Sequence, residues 1–173
     1  MKLKDVIKKE IIPLIGKRSV LGLFIFFIHR RIDLKCILFY RLAIICKQKK
    51  IYFLPVFFYN KLITNFNCYI SLSSKIGEGL RFPHPSSIII GKGVIVGDNA
   101  IIYQNVTIGA SKIGDVAKNR YPKIGNNVTL YTGSSIIGDV KLGNNVVVGA
   151  HSLVTQSFPD NSIIVGIPAR KIN

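Results

Sequence analysis

An aliphatic residue recurs at every sixth position through the second half of this chain. A period of six matches neither the 3.6-residue repeat of an amphipathic helix nor the two-residue repeat of an ordinary strand. It predicts a parallel β-helix with three short faces per coil, in which each aliphatic anchor points inward and stacks on the next coil, about 4.8 Å away. The ten anchors are Ile90, Val96, Ile102, Ile108, Ile124, Leu130, Ile136, Leu142, Val148 and Val154.

The residues between the anchors suit tight corners. Four positions after most anchors the chain has a small or β-branched residue, and nearby Gly and Asn residues tolerate left-handed backbone angles. Lys112 and Phe158 are the exceptions at this corner position. The pattern starts upstream at residues 76–79, and a two-residue shift just before Ile90 predicts an irregular coil near residues 82–87. Regular coils are predicted over residues 90–107, 124–141 and 142–159.

The repeat is interrupted once, between Ile108 and Ile124. About ten residues, 114–123, have to leave the stack as an extruded loop if the frame is to resume in register. A loop held at both ends by a rigid scaffold is a common location for function. A tolerated surface insertion is the alternative. The polar and aromatic candidates that the loop carries are Lys118, Arg120, Tyr121 and Lys123.

The first part of the chain has a different character. Of a formal net charge of +16, residues 1–65 contribute 14 basic against three acidic residues, between short runs of Leu, Ile and Phe. We predict a helical region over residues 1–66, with helices near 2–14, within 19–47 and over 51–65, followed by the β-helix over 67–173 with a tail at 165–173. Helices lying in an anionic membrane surface and helices that pair subunits both fit this composition. A nucleic-acid module does not.

Several features favour a cytoplasmic protein. No uncharged apolar run reaches the roughly 20 residues of a spanning helix. The run at 19–28 lacks a small-residue cleavage site and is followed by Arg30 and Arg31, so it is a poor export signal. The three cysteines, at positions 36, 46 and 68, have no metal-like spacing and are predicted to be buried, unreactive thiols in a reducing compartment.

Three stretches of the chain together resemble the left-handed β-helix acyltransferases, and within them the serine acetyltransferase branch. They are the coil I-Y-Q-N-V-T-I-G at 102–109, the loop end N-R-Y-P-K-I-G at 119–125 and the closing V-G-I-P-A-R-K-I at 165–172. The likeness covers roughly residues 36–173. It implies a mainly β protein, a left-handed parallel β-helix with a short N-terminal helical region. It also implies an enzyme that moves acetyl from acetyl-CoA to a hydroxyl without a metal. The assembly implied is a homotrimer with sites between solenoids, or a dimer of such trimers.

A histidine is the expected general base, since its ordinary pKa near 6.5 suits proton removal at neutral pH. His84, in F-P-H-P-S-S-I, matches the family's catalytic segment and is the predicted base. His29 adjoins a basic pair and is expected on a helix surface. His151 is expected to be a solvated turn residue.

The resemblance also assigns binding residues. Small side chains in the third and fourth coils match positions along which the pantetheine arm of acetyl-CoA runs, and a basic tail matches the phosphate contacts. Polar and aromatic residues near the loop are the candidates for holding the acceptor. The predicted acceptor residues are Tyr103, Asn105, Arg120 and Tyr121, and the predicted acetyl-CoA residues are Lys123, Thr132, Gly133, Ala150, Thr155, Gln156, Arg170 and Lys171.

Three positions depart from the pattern of serine acetyltransferases. Pro83 and Tyr69 stand where that branch has Asp, and Tyr121 stands where it has a second histidine. We therefore predict a sugar of a bacterial surface polysaccharide or its precursor as the acceptor, with acetylation at the inner face of the cytoplasmic membrane. Serine O-acetylation for cysteine biosynthesis is the alternative, and a non-catalytic trimeric membrane scaffold is the second alternative.

Overall fold

A computed structural model describes residues 31–173, which form two α-helices followed by fourteen short strands. The predicted helix near residues 2–14, the start of the segment at 19–47 and His29 lie outside the described residues. The helices are α1 (Ile32–Gln48) and α2 (Leu54–Phe66), and a 3-10 turn, Asp115–Lys118, interrupts the strands. The strands are β1 (Tyr69–Ile70), β2 (Lys75–Ile76), β3 (Ile89–Ile90), β4 (Ile95–Val96), β5 (Ile101–Ile102), β6 (Thr107–Gly109), β7 (Lys123–Ile124), β8 (Thr129–Leu130), β9 (Ser135–Ile137), β10 (Lys141–Leu142), β11 (Val147–Val148), β12 (Leu153–Val154), β13 (Ile163–Gly166) and β14 (Ala169–Lys171).

The strands form three sheets that are the faces of one prism. Sheet A has the order β1-β3-β6-β9-β12, sheet B β2-β4-β7-β10 and sheet C β5-β8-β11-β13-β14. Every pairing is parallel except that of β13 with β14, which is an antiparallel hairpin. From β1 to β13 consecutive strands lie in different sheets, as the six-residue period predicts. The parallel β-helix is therefore confirmed, and its anchors are buried, from Ile90 to Val154.

The spacing between paired residues shows where the coils depart from eighteen residues. Regular neighbours such as Asn126 and Asn144 are 18 apart, but the first two coils are offset by 20 residues. The two extra residues fall between Arg81, which bridges to Ile101, and Ile89. The irregular coil predicted at 82–87 is thus a two-residue bulge. The interruption adds ten residues, since the offset there is 28.

The last coil is shorter than predicted. Its offset is 16 residues, and Phe158 pairs with Leu142 of the coil above. Phe158 was expected to be an exception at a corner position. It is instead a buried anchor, because the two-residue deletion moves it onto the inward-facing position.

Amide ladders seal the corner between sheets B and C, which we call the asparagine corner. Asn99, Asn127, Asn145 and Asn161 all have positive φ there. Each of the first three donates its side-chain amide to the next, at 2.9–3.1 Å. A second ladder runs beside this one through the residues that directly precede the asparagines, and it ends at Asp160. The pKa of Asp160 is lowered because the backbone N–H and the side-chain amide of Asn144 both donate to its carboxylate.

The helices close one end of the prism. Arg41 of α1 is 2 % exposed and donates to the carbonyls of Ile76 and Gly77 on the first coil. Its neighbour Tyr40 shares a 3.3 Å hydrogen bond with Ser74. Because Arg41 satisfies two backbone carbonyls and Tyr40 bonds a side-chain hydroxyl, α1 is joined to the solenoid by directional bonds as well as by apolar packing.

The three cysteines are buried and free, as predicted. A hydrogen bond with the thiol of Cys68, together with burial, raises the pKa of Cys36. A raised pKa keeps the thiol protonated and therefore unreactive at neutral pH.

The asparagine corner yields a stability prediction. Asn127→Ala removes two links of the ladder and places an alanine at φ +55°. Left-handed backbone costs a non-glycine residue about 1–2 kcal/mol, so we expect the free energy of unfolding to fall by roughly that amount or more. Asn127→Gly removes the same amide without the backbone strain and should lose less. Urea unfolding of both variants measures the difference, and equal losses would show that the backbone angle is not the reason for asparagine here.

Candidate functional site

His84 lies on the two-residue bulge, where the chain leaves the regular coil between sheets C and A. The bulge is supported from below by Phe82 and Ile88, both buried. It is also tied to the end of α2. Asn67, the left-handed cap of that helix, donates its side-chain amide to Ser87 Oγ at 3.0 Å, and the backbone N–H of Ser87 donates to the carbonyl of Phe66. The helical region therefore positions the predicted base.

The imidazole of His84 is exposed and tilted against an aromatic stack. Its ring centroid lies 6.2 Å from that of Tyr103, with 53° between the planes. Tyr103 in turn stacks on Tyr131 at 5.1 Å. Among residues 31–173 no hydrogen bond to the imidazole is found, and no carboxylate contacts it. The ring is thus oriented by its rigid, proline-flanked backbone and by Tyr103.

Six of the predicted site residues share this edge of the prism, which we call the histidine corner. Backbone hydrogen bonds run down it from coil to coil: Asn105 N donates to Ser86 O, Gly133 N to Gln104 O and His151 N to Thr132 O, at 2.9–3.1 Å. The column is continuous over four coils. The predicted residues that it brings together are His84, Tyr103, Asn105, Thr132, Gly133 and Ala150.

Turn geometry accounts for several residues of this corner. Ser87, Asn105, Gly133 and His151 all have positive φ, so they form the left-handed column of the histidine corner. At Gly133 there is a second requirement, because an added Cβ would lie 2.5 Å from Nδ1 of His151. The imidazole of His151 therefore lies against Gly133 of the neighbouring coil, and His151 is exposed on a left-handed turn, as expected.

Five other predicted residues lie on a different edge, the corner between sheets A and B. We call it the loop corner, because the extruded loop leaves and rejoins the prism there. The ring of Tyr121 covers Gly93, its hydroxyl donates to Asn119 at 3.4 Å, and Lys123 Nζ lies 5.9 Å from the ring centroid. The residues placed at this corner are Arg120, Tyr121, Lys123, Thr155 and Gln156.

Arg170 and Lys171 lie on β14, at the outer edge of sheet C. The hairpin pairs Arg170 with Val165, which places β14 just beyond the last coil of the histidine corner. Both basic side chains are exposed there. One cationic pair thus stands at the end of the column that begins with His84.

Two residues of the histidine corner were not predicted as site residues from the sequence. Tyr131 directly follows an anchor, as Tyr103 does, so the shared frame position was the available signal. Gln104 has a buried Oε1 with no hydrogen-bond partner among the described residues. An orphaned buried acceptor is uncommon in folded proteins, and a hydroxyl or amide donor from a ligand would satisfy it.

The described part of the chain has neither a cluster of metal ligands nor a membrane-spanning helix. Residues 31–173 contain no group of three His, Cys, Asp or Glu side chains placed to hold a metal ion. In the same range neither helix has the length and apolar character needed to cross a membrane.

Comparison with known proteins identifies the fold family. Residues 121–156 match the family model for the bacterial transferase hexapeptide (six repeats). The serine acetyltransferase of Buchnera aphidicola subsp. Schizaphis graminum is 35% identical over 133 residues, which cover 77% of this chain and 51% of that protein. The chain spans about half the length of the curated relatives it matches.

Solved structures agree with the sequence relatives. A serine acetyltransferase in complex with CoA matches with a TM-score of 0.70 and 26% identity, over 80% of this chain and 56% of that one. Soybean serine acetyltransferase complexed with serine matches with a TM-score of 0.71 and 31% identity, again over 80% and 56%. The prism is accordingly the left-handed β-helix of the hexapeptide-repeat acyltransferases. The sequence relatives and the solved structures to which the chain is similar are serine acetyltransferases, so its likeness lies in the serine acetyltransferase-like branch of that family.

Proposed function

We propose that this protein is an acetyl-CoA-dependent O-acetyltransferase with His84 as its general base. The observation that carries the proposal is the position of His84. It is the one histidine in residues 31–173 that lies on an irregular coil, exposed on a bulge held by Asn67 and Phe66. The CoA complex of a structural relative supports acetyl-CoA as the co-substrate.

The proposed reaction is a direct transfer. His84 takes the proton of the acceptor hydroxyl as the oxygen attacks the thioester carbonyl, so a C–O bond forms and the C–S bond breaks. The CoA sulfur leaves with the proton that His84 received. No carboxylate contacts His84 in residues 31–173, so Tyr103 and the stiff P-H-P backbone serve as the orienting groups.

The arrangement of the predicted residues supports an oligomeric site. In one chain the histidine corner and the loop corner are different edges of a prism. Two copies placed side by side bring the histidine corner of one against the loop corner of the other. We therefore propose a homotrimer in which His84 of one subunit faces Tyr121 and Lys123 of its neighbour across each cleft.

Acetyl-CoA fits along the histidine corner in this proposal. Ala150 is exposed and Thr132 half-buried on successive coils, so the edge is shallow where the pantetheine arm would run. Arg170 and Lys171 lie beyond it and offer charge to the phosphates, Arg as a bidentate donor and Lys as a point charge.

L-Serine is the acceptor that the comparisons favour, since the relatives are serine acetyltransferases and one solved structure holds serine. The sequence-based expectation placed a sugar first and serine second, and the comparisons favour the reverse order. The proposed cellular role is then the acetylation of serine that precedes cysteine synthesis.

A neutral sugar hydroxyl is the second candidate, favoured by the chemistry around His84. The positions that carry acids in serine acetyltransferases are Pro83 and Tyr69 here. Tyr69 is 45% exposed and lines an apolar cavity of about 410 Å³ with Val56, Tyr59 and Ile89. The lining of this cavity has no carboxylate to pair with an ammonium group. A sugar carried on a lipid would also suit a cytoplasmic protein held at the inner membrane face, which is the location we propose.

The role of His84 is tested by His84→Ala. We expect acetyl transfer to fall by about 10²–10⁴-fold, the usual contribution of a general base, with the prism and the oligomeric state unchanged. His151→Asn is the matched control, because it keeps a residue that tolerates φ +55° and removes the other described imidazole. Thiol release from acetyl-CoA is measured for both. A His84→Ala enzyme within a few-fold of the native rate would refute the assignment.

The acetyl-CoA groove is tested at Ala150. Ala150→Phe should obstruct the pantetheine arm and raise the Kd for CoA by about tenfold or more, which is at least 1.4 kcal/mol. Ala150→Ser adds a small side chain at the same exposed position and should bind CoA like the native protein. Calorimetric titration with CoA compares the two, and equal affinities would place the arm elsewhere.

The acceptor is tested by adding candidates to the purified protein and acetyl-CoA. Thiol release is expected to be fastest with L-serine, compared with nucleotide sugars and lipid-linked oligosaccharides. Rapid release with a sugar acceptor and none with L-serine would establish the second candidate. If CoA binds but no acceptor releases thiol, the non-catalytic scaffold becomes the better description.

A further inference from the structure

We infer that the turn between α1 and α2, with the first turns of α2, is a docking surface for an anionic lipid bilayer. This surface, residues 49–57, is called the helical tip below. The inference rests on the proposed location at the membrane and not on the proposed chemistry. It goes beyond that location because it assigns specific residues of the described structure to the contact.

The helical tip exposes large apolar side chains side by side. Tyr52 is 90% exposed, Phe53 71%, Val56 59% and Phe57 50%. Isolated exposed apolar residues are ordinary on protein surfaces, but a contiguous group of this size marks an interaction site. Phe57 and Phe58 contact each other edge to face at 5.4 Å, so the aromatic group extends along α2.

Lysines surround this apolar group. Lys49 and Lys50 precede Tyr52 in the turn, and Lys47 is held nearby by its hydrogen bond to the carbonyl of Leu72. Lys61 follows one turn after Phe57, with Nζ 5.6 Å from its ring centroid. In residues 31–66 the acidic counterpart is Asp33, which is engaged with Arg31 at 2.9 Å. The surface is therefore apolar at its centre and cationic at its rim.

Charge complementarity distinguishes between the possible partners of this surface. A second copy would bring the same lysines against each other, in a chain whose net charge is +16. Residues 1–30 carry seven basic and two acidic side chains, so they too would place like charge against the rim. An anionic bilayer offers negative headgroups to the lysines and an apolar interior to the aromatic residues. Tyr and Lys side chains suit this boundary, since each has an apolar body and a polar end.

The test uses the full chain and two kinds of vesicle, phosphatidylcholine mixed with phosphatidylglycerol and phosphatidylcholine alone. We expect the native protein to co-sediment with the anionic vesicles, to bind them less at high salt, and to leave the neutral ones largely free. Tyr52→Ser/Phe53→Ser removes the two most exposed apolar side chains of the tip and should weaken binding about tenfold or more. Ile113→Ser is the matched control, an exposed aliphatic residue in the interruption between β6 and β7, away from the helical tip.

A charge variant completes the test. Lys49→Glu/Lys61→Glu should weaken binding to anionic vesicles, while Lys92→Glu, an exposed lysine of the β-helix, should have little effect. Circular dichroism and light scattering check that fold and subunit number are unchanged. Native-like vesicle binding by Tyr52→Ser/Phe53→Ser would overturn the inference, as would a native protein that ignores anionic vesicles. A change of subunit number in that variant would assign the surface to a second copy instead. Because thiol release is measured separately, loss of vesicle binding and loss of catalysis are distinguishable.

Discussion

The structure depends on one repeated contact, an aliphatic side chain packed directly on the equivalent side chain of the next coil. Ile102, Leu130, Val148 and Ile164 form one such column on sheet C, and each is at most 1% exposed. Because each interior strand is paired on both sides, residues cannot be inserted within a face without breaking two ladders. Extra residues therefore leave the prism at its corners, and the bulge at His84 and the loop before Lys123 are the two places where they do.

This constraint explains why the candidate chemistry lies on edges. The corners are where side chains need not pack inward and where left-handed residues such as Asn105 and Gly133 turn the chain. The asparagine corner and the histidine corner have different roles. The asparagine corner is closed by amide ladders, whereas the histidine corner has an exposed imidazole, an orphaned acceptor at Gln104 and small residues at Gly133 and Ala150.

The helical region connects the proposed membrane contact at the helical tip with the bulge that carries His84. At its carboxyl end α2 ties down the bulge through Asn67 and Ser87, close to His84. At its amino end the same helix presents Phe53 and Val56 beside the lysines of the helical tip. One short helix, Leu54–Phe66, thus spans from the proposed membrane contact to the proposed general base.

The sequence alone was sufficient for the repeat, because burial of one side chain per six residues leaves a direct mark in the order of amino acids. Anchors such as Ile90 and Val154, the ten residues of the interruption and the irregularity before Ile90 were all readable in this way. Phe158 was misassigned because a two-residue deletion has no local signature. Only strand pairing shows that it lies under Leu142.

The site was predictable to a lesser degree. Which edge a residue occupies depends on the count of residues through every preceding coil, so Thr155 and Thr132 look alike in sequence but lie at different corners. The contacts that support His84, from Tyr103 and from the end of α2, join segments that are distant along the chain. The sequence determined the period and the residue types that chemistry requires. The tertiary structure decided which of them meet, because side-chain neighbours across coils are set by stacking and not by order along the chain.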